Sequence, residues 1–182
     1  MNKYFGAWLW SFCYCMLLTS CYKPSPEKYF DIAVVNSNTL VGFADDGMLK
    51  ELESPAVKIA GGSGKPPAMK RSEIMSAKIQ IAEDNLKKVK LLKETGDTKD
   101  MLQTSIALYE YVLPVYKNEY QQLAKLYDDG ASKEQIQLLV QTIYDKYYAG
   151  FEALFNKLIA VAKPYAEEHN IKVNWDVATS PQ

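Results

Sequence analysis

Few residues of this 182-residue sequence have the types and spacing that chemistry requires. Gly61-Gly62-Ser63-Gly64-Lys65 has the glycines and the lysine of a phosphate-cradling loop, but such a loop needs Gly where Ile59 stands, Ser or Thr at Pro66, and a preceding strand. The pentapeptide reads instead as the middle of a flexible connection and a candidate contact loop for a partner. The single histidine, His169, directly follows Glu167 and Glu168 and forms no Glu-x-x-His pair of the kind a di-metal bundle requires. Covalent haem needs Cys-x-x-Cys-His, which is absent, and a non-covalent haem held by His169 with Met48 or Met75 is a minor alternative. His169 suits the last turn of a helix, where a protonated side chain meets the negative end of the dipole.

Nucleophilic catalysis finds no footing either: there is one histidine near a chain end and no Gly-x-Ser-x-Gly elbow. The acid pairs Asp45-Asp46 and Asp128-Asp129 each precede a glycine near a helix end, where solvated surface is their natural place. Thirteen tyrosines invite a stacking platform, yet the heptad spacing of those in the helical seams assigns them to a core. No enzyme, resident cofactor or metal site is therefore expected. With 48% apolar and 24% charged residues the chain is an ordinary folded globule, and 21 Lys+Arg against 22 Asp+Glu leave no basic footprint for nucleic acid.

The N-terminus is an address. Lys3 precedes an uncharged run from Tyr4 to Leu18, long enough for a secretory h-region and too short for a comfortable membrane span. Leu18-Thr19-Ser20-Cys21 follows at once and resembles the lipobox of bacterial lipoproteins, an apolar residue and two small ones before the cysteine. The resemblance implies diacylation of Cys21 and removal of residues 1–20. Cys13 and Cys15 lie in the part to be removed, so Cys21 would be the only mature thiol, and acylation would cap it. Two or three acyl chains anchor firmly at about 0.8 kcal/mol per buried CH₂. Tyr22 stands where inner-membrane lipoproteins of the enteric type carry Asp, which points to the outer membrane; Lys23 is followed by Pro24 and Ser25 where a surface-export signal would have acids.

Beyond a tether at residues 21–25, the chain reads as all-α: an up-down-up-down antiparallel four-helix bundle over residues 26–170, then a tail over 171–182. Breakers gather at Ser54 to Pro67, Gly96-Asp97 and Gly130-Ala131-Ser132. Ser25-Pro26 opens a helix expected to reach about Glu53. A second should run from about Pro67 to Thr95, ending on a left-handed Gly96; Thr98 caps a third that Gly130 closes. Ser132 with Gln135 forms a capping box for a fourth that ends near Asn170.

Leu102, Ile106, Tyr109, Leu113, Tyr116, Tyr120, Leu123 and Tyr127 alternate steps of four and three, and Ile136, Val140, Ile143, Tyr147, Phe151, Leu154, Leu158, Val161 and Tyr165 are again spaced in threes and fours. The first segment carries a stripe of smaller residues, Phe30, Ala33, Val34, Ser37, Leu40, Val41, Ala44 and Met48. Helices of about 28 to 37 residues would be roughly 40–55 Å long. Pro114 and Pro164 should disturb their helices, Pro164 the more strongly.

On a helical wheel Lys78 falls among Ile74, Met75, Ile81 and Ala82, and Glu119 among Val112, Val115, Tyr116 and Leu123. The two should meet as a buried pair between the second and third helices, setting register rather than adding much stability.

In layout the chain resembles the small all-helical surface or periplasmic lipoproteins of outer-membrane bacteria. That implies location, not activity. The leading expectation is a non-enzymatic bundle held to the membrane through lipid on Cys21, with an envelope or extracellular protein partner, and the charge balance argues against nucleic acid. The alternative is a periplasmic bundle holding a small molecule or haem-like group.

Overall fold

The computed structural model describes residues 24–54 and 69–175, and these are helical with no strand among them. The first helix, α1 (Pro26–Ala33), begins as its cap dictates, with the Ser25 hydroxyl accepting the Lys28 N–H at 3.3 Å and Pro26 in the first turn. It does not continue to Glu53. The chain passes through a 3-10 helix (Val35–Leu40) and a turn before α2 (Asp46–Glu53).

Local side-chain chemistry accounts for the break. In Asn36-Ser37-Asn38-Thr39 the Ser37 hydroxyl donates to the Val34 carbonyl at 2.6 Å and the Thr39 hydroxyl to the Asn36 carbonyl at 2.8 Å, tightening the backbone at the expense of α-helix. Gly42 then takes a φ of +89°, which costs a glycine little. It packs backbone to backbone with Gly47, where an added Cβ would stand 2.9 Å from the Gly42 Cα. Asp45 caps α2 by accepting the Gly47 N–H at 2.6 Å. The expected stripe is buried all the same from Phe30 to Met48, except Val41, which is 51% exposed.

The remaining helices are α3 (Arg71–Lys90), α4 (Lys99–Val115), α5 (Gln121–Asp128) and α6 (Lys133–Glu168). Gly96 is not the left-handed end of α3: that helix stops at Lys90, and Gly96 is absent from the glycines of positive φ. The turn is tied by side chains instead, with the Thr95 N–H donating to the Thr98 hydroxyl at 2.9 Å and the Thr95 hydroxyl to Asp97 at 2.6 Å. Gly130, at φ +69°, closes α5 as expected, the Ala131 N–H reaching back to the Leu126 carbonyl at 2.9 Å. The Ser132–Gln135 capping box is present.

Pro164 does not break α6, which runs without interruption from Lys133 to Glu168 with this proline exposed. The disturbance comes after Pro114: a π-helical turn (Tyr116–Tyr120) separates α4 from α5.

The rod formed by α4, the π-turn and α5 packs between α3 and α6, while α1 rests on α3 and α4, and α2 on α5. Its tyrosine seam is buried at Tyr109, Tyr116 and Tyr120, and α6 buries Ile143, Phe151, Leu158 and Tyr165. Contacts along the antiparallel α3–α4–α5 pair include Glu94–Gln103, Lys90–Glu110, Glu83–Lys117 and Ser76–Gln121.

At its far end Asp128 clamps the start of α3, accepting the Arg71 N–H at 2.8 Å, the Ser72 N–H at 3.0 Å and the Ser72 hydroxyl at 2.7 Å. This acid is structural, not merely solvated. Burial raises its pKa, but the Ser72 and Arg71 bonds and the Arg71 charge outweigh that and hold it below the ordinary value of 3.8. Asp128→Ala should lower stability in urea denaturation by about 1–2 kcal/mol at neutral pH, the usual cost of a lost cap. Because the folded pKa is depressed, the wild-type advantage is present above the ordinary Asp value and should vanish as pH falls through the folded one. An unchanged urea midpoint in the alanine variant would exclude the clamp.

Candidate functional site

Cys21 and the loop residues Gly61, Gly62, Ser63, Gly64 and Lys65 lie outside the described residues. Lys78 and Glu119 are described, and they do not form the expected pair. Lys78 reaches Glu51 of α2 at 2.8 Å, and Glu119 accepts from the Tyr147 hydroxyl of α6 at 2.5 Å. Their heights are close: between the Glu83–Lys117 and Ser76–Gln121 contacts, position 78 is level with about residue 120. The direction differs. Lys117 faces α3, and Glu119, two residues on within the π-turn, points about half a turn away toward α6. Two residues are about 200° apart on a helical wheel, so with Lys117 on the α3 side Glu119 falls on the α6 side. Arg71, the other candidate for Glu119, donates instead through Nε to the Leu52 carbonyl at 3.2 Å.

His169 sits at the C-cap of α6 as expected, with Nε2 3.3 Å from Asp97 and its ring against Tyr165. Asp97 is held below the usual carboxylate range, first by the Thr95 hydroxyl and with help from His169, although burial opposes this. Among the described residues no group of three or more His, Cys, Asp or Glu could hold a metal ion. None of the described helices is long and apolar enough to cross a membrane.

The cavity with the richest chemistry opens between the start of α2 and the first half of α6, with a volume of about 440 Å³. Asp45 and Asp46 enter from the α2 cap, Tyr120 from the end of the π-turn, and Tyr144 and Tyr148 from α6; Leu49 and Ile143 add apolar surface. Leu49, Val140 and Gln141 are shared with a second hollow that extends toward the Gly130 turn, where Leu138 stands 72% exposed.

Each part is held in place for a local reason. The Tyr120 hydroxyl accepts the Ala44 N–H at 2.9 Å, fixing a left-handed Ala44 and with it the neighbouring Asp45. Phe43, on the other side of Ala44, is fully buried and anchors the turn in the core. Tyr144 and Tyr148, one helical turn apart, stack at 5.0 Å with their planes 17° apart.

Burial pushes the Tyr120 hydroxyl well above its ordinary pKa; the Ala44 bond opposes that, and Asp45 adds to the rise. Tyr148 is raised by burial first, then by Glu152, Tyr144 and Asp45. The carboxylate of Asp45 is thus felt at two of the tyrosines lining the cavity.

The tyrosine stripe directed attention to the core, and most of it lies there. Tyr144 and Tyr148 are different: each follows a seam position, Ile143 and Tyr147, so the i,i+4 tyrosine pair beside the seam was the available signal.

No known protein family matches the chain, no curated protein matches it, and no solved structure matches its fold.

Proposed function

We propose that the chain is a lipoprotein of the bacterial cell envelope, anchored in the outer membrane through lipid on Cys21, with a non-enzymatic role in presenting a surface to an envelope or extracellular protein. In this reading the helices form an up-down-up-down four-helix bundle. The segment from α1 to α2 fills the first position, followed by α3, by α4 with α5, and by α6. The observation that carries the anchor is the sequence itself, an uncharged h-region ending in Leu18-Thr19-Ser20-Cys21.

The geometry is consistent with a tether at one end. Pro24 and Pro26 line a small hollow with Thr98, Tyr165 and His169, so the start of the described chain lies beside the α3–α4 turn and the end of α6. Asp128 and the start of α3 mark the opposite end, where α2 ends near Arg71 through Leu52. A bundle standing on Cys21 would hold the α2–α6 groove away from the base. The groove's acidic and aromatic lining is a surface a partner can grip.

Metabolic labelling with a fatty acid should mark the wild type and leave Cys21→Ala unmarked, and fractionation should move the variant from membrane to soluble fraction. A wild type that takes no label removes the anchor from the reading.

A further inference from the structure

The cavity between α2 and α6 brings three properties together. It holds two carboxylates, Asp45 and Asp46, at one wall. Three tyrosines, Tyr120, Tyr144 and Tyr148, line it as well. Among the described residues no lysine, arginine or histidine lines it, and neither Asp45 nor Asp46 takes part in an ion pair. Ammonium groups of the protein meet carboxylates and a ring at other places. Lys78 meets Glu51, Lys90 meets Glu110, and the Lys146 ammonium sits 4.9 Å from the centre of the Tyr147 ring.

We propose that this cavity binds a small organic cation, an alkylated ammonium group, with Asp45 and Asp46 balancing its charge and the tyrosines cradling its apolar substituents. A ring's negative face attracts a cation, and a methylated ammonium is shed from water more readily than a bare one, so aromatic walls with a nearby carboxylate select it. The size is suitable: about 440 Å³ falls within the range of small-molecule sites. The raised Tyr120 and Tyr148 hydroxyls are in keeping with a negative potential there, since Asp45 contributes to both after burial. Tyr144, 46% exposed, leaves the site open to entry from solvent. The inference goes beyond the presenting role and does not depend on the anchor, so Cys21→Ala should bind as the wild type does.

Calorimetric titration of the full chain in detergent with choline as the probe tests this directly, with dimethylbutanol, its uncharged carbon isostere, as the control. Saturable one-to-one binding of choline is expected, with dimethylbutanol at least about tenfold weaker, the order of a partly desolvated cation–ring contact. Tyr144→Ala should weaken choline by about tenfold. So should Asp45→Asn combined with Asp46→Asn, a pair that keeps a capping side chain at the start of α2. Circular dichroism should show unchanged helicity in both variants. The proposal is overturned if choline gives no saturable heat, if dimethylbutanol binds equally well, or if the folded variants bind like the wild type.

Discussion

Truncating Phe43 to alanine should lower the stability of the fold by about 3–5 kcal/mol, the range for removing a buried aromatic side chain. Phe43 is fully buried, and its ring lies 5.0 Å from that of Phe151, 5.6 Å from Tyr116, 5.9 Å from Tyr120 and 6.4 Å from Tyr111. It is the side chain by which the turn before α2 reaches both the central rod and α6. Because it stands in a turn, alanine would bring no compensating gain in helix propensity. The cavity left behind would be lined by rings held by their own contacts, Tyr120 through Ala44 and Tyr111 through its bond to the Tyr147 carbonyl at 3.1 Å. Collapse into the space should therefore be small. Against a total of about 5–15 kcal/mol for a typical domain, this is a large fraction. Guanidinium denaturation measures it; a loss below about 1 kcal/mol would show that Phe43 does not hold the segment down. Phe43→Leu, which keeps most of the volume, should cost less than about 1.5 kcal/mol.

The second large effect is alkaline unfolding. Burial raises Tyr109 to about 12, even though Thr39 and Asn85 pull the other way. Tyr116 and Tyr120 are pushed higher still, again by burial first, with nearby tyrosine and acidic charges adding to the rise. The Tyr116 hydroxyl is buried without a hydrogen-bond partner among the described residues, so a phenolate there would have nothing to stabilise it.

These folded pKa values lie above the ordinary tyrosine value of 10.0, so their contribution is fully present below that value. It is lost as pH rises beyond it, because the unfolded chain releases protons that the folded chain retains. Each such tyrosine removes about 1.4 kcal/mol per pH unit. Three acting together should exhaust an ordinary stability within about two pH units. The part of the tyrosinate absorbance that comes from Tyr109, Tyr116 and Tyr120 should then appear together with the loss of helicity, in one cooperative step above pH 10.0. Ionisation of these three tyrosines with helicity unchanged would mean that the seam is not buried as described.

The features legible in the sequence were those that short-range rules control. The Ser132–Gln135 box, the Gly130 terminus and the Ser25-Pro26 start are all present, because each depends on three or four neighbouring residues. The seams of the central rod and α6 could be read from their period. The break after Ala33 could not, because the same small residues that suit a helical stripe also fit a 3-10 helix and a turn, and both bury them. Nor could the partner of Lys78, because Glu51 is brought to it by an α2 that exists only once the first helix is broken. The cavity remained hidden for a related reason: Asp45 and Tyr144 stand about a hundred residues apart and meet only because the first helix is broken. As a continuous helix to Glu53, that segment would not turn Asp45 and Asp46 into an α2 cap.

The anchored reading rests on the chemistry at Cys21, and the intact mass of the protein extracted from membranes tests it most directly. The predicted result is a chain that begins at Cys21 and carries the added mass of a diacylglyceryl group, with or without a third acyl chain. A membrane-extracted chain that retains residues 1–20, or one that begins at residue 21 with an unmodified thiol, would contradict it.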